Sequence, residues 1–144
     1  MILVKIRNLL IGAGAYYLAR WVAFPLLIAY GKFTNHIITH GDFSTVFVRS
    51  IVLHVPEALG ATLAGASVAW LVESDQPQWW AIFPALLYAF LGYLGWHWSR
   101  PPVLIDRVTQ VVAALFPAVM CLLGGFVAGR RRSAKPSSSA APGI

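Results

Sequence analysis

Apolar residues run almost unbroken through four stretches, 9–30, 51–72, 79–98 and 108–128, and the polar residues gather between them. Each stretch holds the twenty or so residues with which an α-helix crosses a bilayer. The pattern predicts an all-α integral membrane protein, an antiparallel bundle of four transmembrane helices within residues 1–130. Its spans are expected at about 9–30, 46–72, 79–98 and 104–128. The second span is drawn back beyond its apolar run because Asp42 or Ser44 can cap a helix that starts early. Residues 131–144, ending SAKPSSSAAPGI, have no apolar periodicity and are expected to form a disordered cytoplasmic tail.

Small and aromatic residues add detail to the spans. Gly60, Ala64 and Gly65 fall on one face of the second span, where a neighbouring backbone can approach closely; Gly125 and Gly129 offer a similar step in the fourth. Trp79 and Trp80 at one end of the third span, with Trp96 and Trp98 at the other, suit the two headgroup boundaries. Pro25, Pro56 and Pro117 are expected inside helices, each depriving the carbonyl four residues earlier of its donor: Trp21, Val52 and Ala113.

The composition agrees with a bilayer as solvent: 58% of the residues are hydrophobic and 11% charged, against about a quarter charged in ordinary soluble domains. The net charge of +6 does not indicate nucleic acid, because Arg130, Arg131, Arg132 and Lys135 cluster just after the last span. Basic flanks of that kind stay in the cytoplasm and attract anionic headgroups. With Lys5 and Arg7 before the first span, they place both termini in the cytoplasm of a multi-pass cell-membrane protein. The basic start followed by an apolar run resembles a secretory signal, but the run continues to Tyr30 and reads as a retained first span. One cysteine, Cys121, excludes an intrachain disulfide and reads as a packing residue.

Chemistry, if present, rests on a few ionisable groups. Arg20 and Glu57 lie within spans, where a charge costs about 2.5–3.5 kcal/mol and rarely faces lipid. They fall at comparable depth on consecutive antiparallel helices, so a direct ion pair is expected. His54 shares the face of Glu57 three residues on. His36, His40, His97 and Asp42 map to the opposite end from the termini and form a candidate metal cluster, imidazole and carboxylate being suitable ligands for zinc and related ions. His54 with His97 is the pair that a haem would need. Neither cofactor is the main expectation, which is none.

The leading functional expectation is a non-catalytic accessory or assembly subunit whose close-packing faces engage its own copies or a larger membrane complex, with the lipid bilayer as its other partner. No nucleophile, phosphate loop or zinc-protease motif supports an enzyme. The alternative is a small proton- or cation-coupled transporter or channel subunit using Glu57, Arg20 and His54; a pore-forming protein is a third reading.

Overall fold

The computed structural model describes residues 2–35, 54–97 and 104–133. Within them the chain is all-helical: α1 (Ile2–Asn35), α2 (Val55–Leu71), a 3-10 turn (Pro77–Ala81), α3 (Ile82–His97) and α4 (Leu104–Ser133). Two segments, Ile2–Tyr30 in α1 and Val111–Ser133 in α4, are long and apolar enough to cross a membrane. The described part of α2 has 17 residues and α3 has 16, about 24–26 Å each at 1.5 Å per residue. The expected start of the second span, at 46–53, lies outside the described residues.

Small side chains set the packing. The core gathers Tyr16 from α1, Ala61 and Ala64 from α2, Ala85 and Tyr88 from α3, and Ala118 and Cys121 from α4. α2 and α4 share the most extensive interface, followed by α1 with α2 and α3 with α4. At its centre a Cβ placed on Gly65 would collide with the Cys121 carbonyl, and one on Gly124 with the Thr62 carbonyl. Those two backbones touch because neither glycine has a side chain to hold them apart. Gly60 lets α1 close on α2 in the same way: its added Cβ would lie 3.2 Å from the Ala19 carbonyl oxygen.

The Gly125–Gly129 step is used within the chain. Gly125 packs against Ala81 and Gly129 against Gln78, so the step seats α4 on the 3-10 turn. Trp79, in that turn, meets Phe126 edge-on with ring centroids 5.4 Å apart. Trp79 and Trp80 thus belong to the turn before α3 and not to the helix itself.

The prolines divide. Pro25 and Pro117 are interior to α1 and α4. Pro56 is not: it sits in the first turn of α2, where no intrahelical donor is required, which corrects the expectation of an interior proline there. α4 also continues through Arg130, Arg131 and Arg132 to Ser133, three residues beyond the expected bundle boundary.

α1 differs from the other helices in how little of it is covered. Its buried residues Asn8, Gly12, Tyr16 and Ala23 follow a single narrow row, and large apolar side chains are exposed around the rest of its circumference.

Candidate functional site

Arg20 and Glu57 do not form the expected direct ion pair. Arg20 sits one helical turn after Tyr16, and its guanidinium donates to the buried Tyr16 hydroxyl at 2.6 Å. The same guanidinium lies 5.9 Å from the centre of the Tyr16 ring. Glu57 is taken by His54, whose Nδ1 is 3.1 Å from Oε2. Whenever the carboxylate is ionised it can only accept, and Nδ1 is then the donor. Glu57 also stands in the first turn of α2, where the positive end of the helix dipole favours an anion. A local partner for each, His54 for Glu57 and Tyr16 for Arg20, replaces the bridge between helices.

Two tyrosines that the sequence did not single out complete this cluster. Tyr16 and Tyr88 meet edge-on with centroids 4.7 Å apart in the centre of the bundle. The Tyr88 hydroxyl is buried and has no hydrogen-bond partner among the described residues. Tyr16 could have been found from its i,i+4 spacing to Arg20; Tyr88 carries no comparable signal.

The candidate metal cluster falls mostly outside the described residues. His36, His40 and Asp42 lie outside the described residues; His97 ends α3, and His54 is committed to Glu57. Among the described residues there is no group of three or more His, Cys, Asp or Glu side chains that could hold a metal ion. Trp98 and Lys135 also lie outside them, and Trp96 falls in the last turn of α3.

A second polar cluster forms at the end of α2, which Arg7 of α1 and Arg132 of α4 both reach. Arg132 donates through Nη1 to the carbonyls of Val72 at 2.7 Å and of Ala69 and Trp70 at 3.1 Å each. The last carbonyls of a helix have no intrahelical donor, so a cation from α4 caps α2 in space. Arg130 and Arg131 are exposed. Beside them Arg7 Nη2 reaches Glu73 Oε2 at 2.8 Å, tying α1 to the turn that follows α2. Arg7 holds the Glu73 carboxyl below its ordinary range, through the hydrogen bond first and its charge second. A carboxyl with a depressed folded pKa adds stability above its unfolded pKa and loses it as pH falls through the folded value. Acid titration followed by NMR should therefore find Glu73 titrating late, and Arg7→Gln should return it to the ordinary range. The pair is exposed, so raising the salt concentration should weaken it.

Compared with known proteins, the chain matches no family model, and no curated protein or solved structure is significantly similar to it. Its function has to be read from its own geometry.

One such feature is a groove of about 970 Å³ between α1 and α2. It runs from Ile11 to Tyr30 along α1 and from Val55 to Leu71 along α2. Nineteen residues of helical rise make it about 28 Å long, close to the thickness of a bilayer's hydrocarbon core. Its lining contains no charged residue; Gly14, Ala19, Gly60 and Ala64 are among the small residues in it, and Leu18 and Leu63 among the large.

Proposed function

We propose that this chain is a small, non-catalytic subunit of a membrane assembly, a four-span antiparallel bundle with both termini in the cytoplasm. The observation that carries this reading is the uncovered α1 with its long apolar groove, a surface shaped for another helix and lined by no charged residue. The four-span part draws support from helix direction: Gly60 meets Ala19 while Glu73 meets Arg7, so α1 and α2 run antiparallel, and the apolar run continues upstream of Val55. Lys5, Arg7 and Arg130 to Arg132 collect at one end, as a cytoplasmic face requires. The polar groups are largely spent on structure: Arg132 holds α2, Arg7 holds Glu73, and Arg20 is tied to Tyr16 within α1.

Affinity purification in a mild detergent tests this reading. The tagged chain should bring down a stoichiometric partner or its own copies; a clean monomer with nothing attached would refute it.

A second reading, proton- or cation-coupled transport, draws on one observation. Glu57 is largely buried within a helix and paired with His54. If the chain transports, Glu57→Gln should abolish uptake driven by a pH gradient in proteoliposomes. Unchanged uptake removes the carboxylate from any coupling role.

A further inference from the structure

We infer that the end of α4 is a site for one anionic phospholipid, with its phosphate held by Arg131 and Arg130 and its tails along Val127, Leu123 and Val119. The inference rests on the part of the reading above in which α4 crosses a bilayer, and adds to it a ligand and the residues that select it.

The first ground is a division among three consecutive arginines. Arg132 turns inward, and its guanidinium donates to the carbonyls of Ala69, Trp70 and Val72. Arg130 and Arg131 are exposed, and among the described residues neither makes an ion pair or a side-chain hydrogen bond. Glu73, an acid at the same end of the bundle, is held by Arg7. Two guanidiniums thus point their donors outward, with no described carboxylate to receive them.

The second ground is what precedes them on α4. Val119, Leu123, Val127 and Arg131 follow one another in steps of four residues, and all are exposed. An aliphatic ridge therefore ends on a guanidinium one turn beyond Val127. The twelve residues from Val119 to Arg131 rise about 18 Å. One leaflet holds about 15 Å of hydrocarbon, with the headgroup beyond it. The ridge has the length of a single lipid, apolar beside the tails and cationic beside the phosphate.

Trp79 sets the depth independently. Its ring is 51% exposed and packs edge-on against Phe126. An exposed indole settles at the headgroup boundary. Arg130 follows Phe126 by one helical turn, about 6 Å further out, which is where phosphates lie.

Chemistry selects the ligand class. A guanidinium grips a phosphodiester through two parallel charge-assisted hydrogen bonds. Phosphatidylcholine offers the same phosphate but carries a quaternary ammonium that two guanidiniums repel, whereas phosphatidylglycerol carries no cation.

Native mass spectrometry of the full chain, released from micelles with equal amounts of these two lipids, tests the site. One phosphatidylglycerol should stay bound in preference to phosphatidylcholine, and Arg131→Gln and Arg130→Gln should each lower that preference about fivefold. Lys5→Gln is the charge-matched control: Lys5 is exposed on α1, which has no interface with α4 among the described residues, so the preference should not change. A loss on Lys5→Gln equal to that on Arg131→Gln means diffuse attraction and overturns the inference, as does equal retention of the two lipids. Displacement by equimolar inorganic phosphate also overturns it, because the aliphatic ridge then contributes nothing. Flotation separates this failure from that of the membrane reading. A chain that floats with vesicles yet shows no preference loses only the lipid site, and a chain that floats with neither vesicle loses both.

Discussion

Gly65→Ala is expected to destabilise the bundle although alanine is the better helix former. The new methyl group would meet the Cys121 carbonyl, and both sides of that contact are backbone, so neither can rotate away. Overpacking of this kind costs about 1–3 kcal/mol. The helical preference for alanine over glycine returns only about 0.5–1 kcal/mol. Gly124→Ala should behave alike, from its clash with the Thr62 carbonyl. The double variant should lose less than the sum, because both methyl groups push apart the same pair of helices. Gly14→Ala is the control: with open space around it, only the propensity gain remains, and this variant should be neutral or slightly more stable. Unfolding in mixed micelles compares the three, and equal behaviour of Gly65→Ala and Gly14→Ala would mean that α2 and α4 do not touch as described.

Arg132→Ala is expected to have the second large effect. It strips charged donors from the carbonyls of Ala69, Trp70 and Val72 together. Hydrogen bonds involving a charged group contribute about 1.5–3 kcal/mol. Arg132→Lys should recover part of this, because an ammonium keeps the charge but lacks the planar fork. Arg130→Ala and Arg131→Ala, at exposed positions, should change stability little. Limited proteolysis offers a second readout: the turn at 73–76 should be cut faster once the end of α2 is free to fray. If all three arginines respond equally, the cap is absent.

How much of this was legible in the sequence depends on the kind of information needed. Helix existence and approximate ends followed from apolar run length, and the small-residue face of α2 stood out because glycine and alanine contrast with the leucines around them. Register was partly legible too: counting residues set Arg20 and Glu57 at similar levels, and their neighbours Ala19 and Gly60 lie against each other. Rotation about the helix axis was not. α1 is apolar on all sides, so nothing in its pattern marks which row faces the bundle, and the direct Arg20–Glu57 pair failed for that reason. Arg132 illustrates the same gap: its position fits the positive-inside rule, but its attachment to α2 depends on two helices distant in sequence ending side by side. The Gly125–Gly129 step was recognised as a close-packing device, and only the three-dimensional arrangement reveals that the 3-10 turn occupies it.

The cap on α2 has a temporal side. Its donor is translated about sixty residues after the carbonyls it serves, so a nascent chain holds an uncapped α2 until α4 has been made. A chain stopped ahead of Arg132 would lack the donor and leave the end of α2 uncapped by it.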